Sequence, residues 1–161
     1  MKQRIYRHPI VVRLTHWISA LALVVLAMSG MQIFNAHPAL YASDASTFQN
    51  PVLSITGDPD ADPPQGWVQI GMRRFYTTNV LGYGPDGQGG ETVRAFPSWA
   101  TIPAYQDLAD GRRWHLFFAW IFVLCAFVYA RWAFDLRPSL ADIRALPAAL
   151  KAHLLPWKVQ P

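Results

Sequence analysis

Three features of the sequence predict an all-α membrane protein of two transmembrane helices joined by a long extracytoplasmic loop. Hydrophobic residues make up 52% of the 161-residue chain and charged residues only 15%, a balance that separates it from ordinary soluble domains. The apolar residues concentrate in two blocks, Leu14 to Phe34 and Trp114 to Phe134, neither of which contains an acid. Each matches the ~20 residues that an α-helix needs to cross about 30 Å of hydrocarbon. The charges between and around the blocks divide by sign. Lys2, Arg4, Arg7 and Arg13 precede the first block, and Arg131, Arg137, Arg144, Lys151 and Lys158 attend or follow the end of the second. The connecting segment carries eight acids against five arginines. Basic residues near helix ends stay in the cytoplasm, which puts both termini inside and the loop outside. The net charge of +4 then reflects topology and does not point to nucleic-acid binding.

The first helix, about 14–34, follows the basic start MKQRIYR, so a cleaved leader is one reading. Its apolar run exceeds the ~7 to 15 residues of a signal peptide and no A-x-A site follows closely, which favours a retained anchor. Trp17 stands at its inner edge, and Trp114 and Trp132 bracket the second helix, where amphipathic rings belong. The outer loop, about 35–113, has Pro- and Gly-rich clusters at GDPDADPPQG and GYGPDGQGG around a strand-capable stretch from Trp67 to Val80. This composition predicts turns, one hairpin and little core. The second cluster lacks the lysine and hydroxyl of a phosphate loop. After the second helix, about 114–134, a tail at about 139–161 opens with a capping-box-like Ser139-Leu-Ala-Asp142. It spaces Leu140, Ile143, Leu146, Leu150 and Leu154 as an amphipathic helix for the inner membrane surface, with Pro147 interrupting it. The single cysteine, Cys125, excludes an internal disulfide and a cysteine cluster, and reads as a small packing residue.

Candidate chemistry rests on histidines. His16 lies at the inner end of helix one and His115 at the outer end of helix two, at borders where ionisable groups are functional candidates. The chain reverses between them, so they fall in opposite leaflets and cannot share one metal. Neutral imidazole is an axial ligand for haem iron, and facing helices supply such ligands in pairs. The competing reading is an interfacial histidine bonded to water or a carbonyl. Arg112 and Arg113, before His115 on the side where arginine is disfavoured, are candidate partners for haem propionates or for lipid phosphates. His37 shares the leaflet of His115, so a single haem between those two is a further alternative. Ser29, Gly30 and the other small residues of helix one suit close packing of a macrocycle or of a helix. His8 and His153 sit in basic polar settings and receive no role.

The stretches HPIVVRLTHWISALALVVLAMSGMQIFNAHPALY and FPSWATIPAYQDLADGRRWHLFFAWIFVLCAFVY, in that order, resemble the bacterial cytochrome b561 family. That family includes the b-type cytochrome subunits of nickel-iron hydrogenases, and the similarity is greatest to the thiosulfate reductase cytochrome b subunit group. The resemblance implies half of a four-helix haem-binding bundle that carries haem b near each membrane face, with His16 a ligand of the inner iron and His115 of the outer one. It implies an electron-transfer subunit of the bacterial inner membrane, multi-pass and not itself catalytic, between quinone and a periplasmic redox partner. The family's other axial histidines lie on a later helix, beyond the HLLPWKVQP that closes this sequence. A truncated or split form of the family's cytochrome, a complementary chain supplying those helices, and a haem-free membrane anchor or assembly partner for a periplasmic redox protein are the alternatives.

Overall fold

A computed structural model of the chain describes residues 9–42, 50–133 and 140–154. Lys2, Arg4, Arg7, His8, Arg137, Lys158 and the Ser139 capping pattern lie outside the described residues, as does the side chain of His153. Two long helices, α1 (Ile10–Phe34) and α2 (Leu108–Ala133), pack against each other, and both are long and apolar enough to cross a membrane. Only 17% of the most apolar window of α1 and 6% of that of α2 is buried, whereas the core helix of a soluble protein would be mostly covered. The uncovered faces carry Leu14, Leu21, Val24, Leu116, Trp120 and Phe127.

The contact between the helices follows a heptad. Buried positions on α1 are Thr15, Ala22, Val25, Ser29 and Gln32, at spacings of seven, three, four and three residues. On α2 the covered positions Gly111, His115, Phe118, Phe122 and Cys125 alternate in fours and threes. A 3.5-residue repeat keeps two helices in register along a left-handed seam. The α1 side of this seam is small or polar rather than bulky, as expected where lipid supplies no hydrophobic drive between helices and close approach does. At Gly111 that approach is tightest, since a Cβ there would lie 2.9 Å from Cγ of Gln32.

The second helix begins six residues before the apolar block does. Asp107 caps it, its Oδ1 accepting the Asp110 amide at 2.9 Å, so Arg112 and Arg113 stand on the first turns of α2 instead of ahead of it. The tail helix α3 (Leu140–Leu154) runs through Pro147, which the sequence marked as an interruption.

The connecting segment corrects the all-α expectation. Its described residues form six strands: β1 (Ala39–Leu40), β2 (Leu53–Asp58), β3 (Gln65–Ile70) and β4 (Arg73–Tyr76) make an antiparallel sheet in that order, and β5 (Gly82–Pro85) pairs with β6 (Glu91–Arg94). The expected hairpin is β3–β4, turning at Gly71, whose φ of +56° suits glycine. The two sheets meet through backbone rather than through large side chains. A Cβ on Gly66 would collide with the backbone of Leu81 and Tyr83, and one on Gly82, at φ +85°, with that of Thr56 and Trp67. The buried apolar side chains of this unit, among the described residues, are Ile55, Ala95 and Pro97. Its core is therefore small, and a polar hub ties it to α1.

Candidate functional site

The hub lies at the end of the helix pair that carries the β unit. Arg94, at the end of β6, is only 2% exposed and donates to the carbonyls of Phe96 at 2.6 Å, Asp86 at 3.0 Å and Ala104 at 3.0 Å. It also donates to Thr101 Oγ1 at 3.0 Å and to Gln32 Oε1 at 3.3 Å. Gln32 in turn donates to the Tyr105 carbonyl at 2.9 Å, and Asn35 accepts the Phe96 amide at 2.8 Å. Burial pushes the Arg94 guanidinium below its usual value while the charge of Asp86 opposes that shift. With its donors taken by protein oxygens, Arg94 serves to fasten the strands to the last turn of α1.

One turn further into the helix pair lies His115. Its Nδ1 is 3.1 Å from Oγ of Ser29, a residue with no exposed surface, and its ring edge lies against Gly30, where a Cβ would be 3.6 Å from Cε1. Ser29 Oγ is also 2.7 Å from the Val25 carbonyl and 3.2 Å from that of Leu26. The seam thus holds the imidazole by one nitrogen, the arrangement in which the other nitrogen serves a metal.

His16 occupies the opposite end of the pair. It is exposed and borders a cleft of ≈ 290 Å³ with Thr15, Ser19, Phe122, Cys125, Ala126 and Tyr129, and its ring meets Trp17 edge-on at 5.7 Å. Ser29 stands 13 residues along α1 from His16, or about 20 Å at ~1.5 Å per residue. The structure therefore keeps His16 and His115 at separate ends. His37 stands outside α1, three residues past its last residue Phe34 and eight along the chain from Ser29. The Gln32 and Asn35 hub occupies the intervening level, and the His37 ring packs on Tyr41 at 5.6 Å.

The two arginines differ. Arg113 pairs with Asp110 at 2.9 Å with its side chain 80% exposed, and Asp110 also accepts the Tyr105 hydroxyl at 2.7 Å. That hydrogen bond, foremost, raises the Tyr105 pKa. Arg112 is exposed, forms no ion pair among the described residues, and stands three positions before His115, on the same face of α2.

Sequence reasoning missed Ser29 as a specific partner of His115 and missed the Arg94 hub. Ser29 was visible only as one of several small residues, because its pairing spans 86 positions in the chain. No group of three or more metal-ligating side chains exists among the described residues, so a metal here would need a prosthetic group or another chain to complete its coordination. A family model described as prokaryotic cytochrome b561 matches residues 7–160, nearly the whole chain. No curated protein and no solved structure matches it.

Proposed function

The chain belongs to the prokaryotic cytochrome b561 family, membrane proteins that carry haem b and transfer electrons, and from that premise we propose a role for each end of the helix pair. His115 would hold the iron of a haem b at the outer end and His16 that of a second at the inner end. The haems supply one-electron chemistry, and the protein sets their position and potential. Electrons pass between membrane quinone and a periplasmic redox subunit, with both termini of the chain in the cytoplasm of a bacterial cell and the β unit outside. Arg112 balances propionate charge at the outer site, while Arg113 reaches it only by leaving Asp110.

The observation that carries this reading is the seating of His115. A buried hydroxyl holds Nδ1, Gly30 gives the ring room, and the residue lies on a seam of small side chains. A histidine bonded only to water at a lipid interface has no need of such a pocket. The described residues bring no group of three or more metal-ligating side chains together, so the reading draws the remaining ligand of each iron from a complementary chain. The chain's own residues do no covalent chemistry.

A second reading, a haem-free anchor for a periplasmic redox protein, draws on the β unit, whose edge strand β4 is exposed along its length next to a fully exposed Met72. The reduced-minus-oxidised visible spectrum of the detergent-purified chain, expressed with haem available, decides between them. From the chain co-expressed with a subunit that completes the ligand sets, the expected result is a low-spin α-band that His115→Ala diminishes by the share of the outer haem. Its absence, both alone and after co-expression with the neighbouring subunits, would leave the anchor.

A further inference from the structure

We propose that Ser29 is a positioning residue that fixes the tautomer of His115, so that Nδ1 carries the proton and Nε2 presents the lone pair to iron. The inference rests on the haem reading above for its purpose, but not for its geometry. A serine hydroxyl has one proton to donate and two lone pairs to accept with. At Ser29 three polar atoms compete for it: the Val25 carbonyl at 2.7 Å, the Leu26 carbonyl at 3.2 Å and His115 Nδ1 at 3.1 Å. The first distance is the mode for O–H···O, while 3.1 Å falls in the ordinary range for N–H···O and is long for a hydroxyl donating to nitrogen. The proton therefore goes back along α1 to Val25, four residues earlier, as helical serines commonly direct it. Oγ is left as an acceptor facing Nδ1, and Ser29 has no exposed surface through which water could take that place.

The consequence follows from imidazole chemistry. A neutral ring that donates from Nδ1 has its remaining lone pair on Nε2, and the hydrogen bond made by one nitrogen decides which tautomer is present. Ring orientation is fixed by the same contact together with Gly30, against which the Cε1 and Nδ1 edge lies. Ligating histidines ordinarily donate their second N–H to a carbonyl, a carboxylate or water; here a hydroxyl takes that part and passes the polarisation to a helix carbonyl. Donation from Nδ1 makes the imidazole more electron-rich and favours ferric over ferrous iron.

The test has two arms. Ring ¹⁵N shifts of histidine-labelled full chain in detergent, without haem, report the tautomer, with His115 assigned by its loss in His115→Gln. The wild type and Ser29→Thr, which retains the hydroxyl, are expected to show protonated Nδ1, and Ser29→Ala to lose that state. Protonated Nε2 in the wild type, or an unchanged Ser29→Ala, overturns the assignment. On haem-loaded protein Ser29→Ala is expected to weaken haem retention about 10- to 100-fold and to raise the midpoint potential, with Ser29→Thr restoring both. A wild type that shows the Nδ1 state yet takes up no haem, alone or co-expressed with a complementary subunit, upholds Ser29 and removes the haem reading. Loaded protein whose retention and potential ignore Ser29→Ala removes Ser29 and leaves the haem.

Discussion

Arg94 shows how one side chain can replace a core. The β unit buries few apolar groups, so its attachment depends on a guanidinium whose planar fork reaches oxygens on several segments at once. Replacing it by alanine takes a donor from the buried Gln32 Oε1 and Thr101 Oγ1 and from three part-buried carbonyls, and each buried group left unsatisfied costs about 1–3 kcal/mol. Arg94→Ala is expected to free the strands from α1, seen as rapid proteolysis between residues 50 and 107, while far-UV circular dichroism retains the helices. Arg94→Lys keeps the charge but not the fork and should fall close to alanine. Gly111 presents the opposite problem, too little room. Alanine there gains about 0.5–1 kcal/mol in helix propensity but presses on a Gln32 side chain that is fixed by its own hydrogen bonds, and overpacking costs about 1–3 kcal/mol. Gly111→Ala should lower the unfolding midpoint in detergent and speed alkylation of Cys125, which is 8% exposed in the seam. Equal alkylation rates in the two proteins would show that the seam can yield.

Among the elements, the β5–β6 hairpin has a stability tied to a single carboxylate. Asp86 Oδ1 accepts the amides of Gln88 at 2.7 Å and Gly90 at 3.0 Å across the turn, and these bonds, that of Gln88 first, hold its pKa below the usual 3.8. A carboxyl with a lower pKa in the folded state stabilises it above the unfolded value, and that contribution disappears as pH falls through the folded value. Amide exchange protection at Gln88 and Gly90 should therefore be constant from neutrality down to about pH 4 and then decline, and Asp86→Ala should lack it throughout. A turn whose protection ignores both pH and the substitution would be held by its backbone alone. This hairpin also marks where the sequence was hard to read. The two spans were legible because hydropathy over ~20 residues needs no tertiary information. The start of α2 was legible in principle from Asp107 and Asp110, a cap and first-turn pattern, but hydropathy hid it behind Arg112 and Arg113. The strands were not legible as six, because Gly57, Gly66 and Gly82 do their work by letting backbones touch, and such contacts leave no alternation of apolar and polar residues. At the site, the histidines were conspicuous as polar residues at apolar borders, whereas Ser29 is informative only once α2 lies beside it.

At the scale of the whole molecule, the direction in which the helix pair crosses the membrane decides which haem position faces which partner. The sign of the flanking charges argues that the β unit is outside and α3 inside, and the seam provides a clean way to test it. Cys125 is the only cysteine of the chain and is packed between the helices, so the native protein should react slowly with maleimides in intact cells. Against that low background, a cysteine at Met72, which is 100% exposed at the β3–β4 turn, reports the outer side, and one at Leu150, 52% exposed on α3, reports the inner side. Met72→Cys is expected to label with a membrane-impermeant maleimide in cells whose outer envelope is permeable, and Leu150→Cys only after the inner membrane is opened. The reverse pattern would turn the molecule over, placing His115 at the cytoplasmic face and directing electrons to a cytoplasmic partner. Labelling of both sites from outside would place α3 across or beyond the membrane, and the two-span topology itself would then fail.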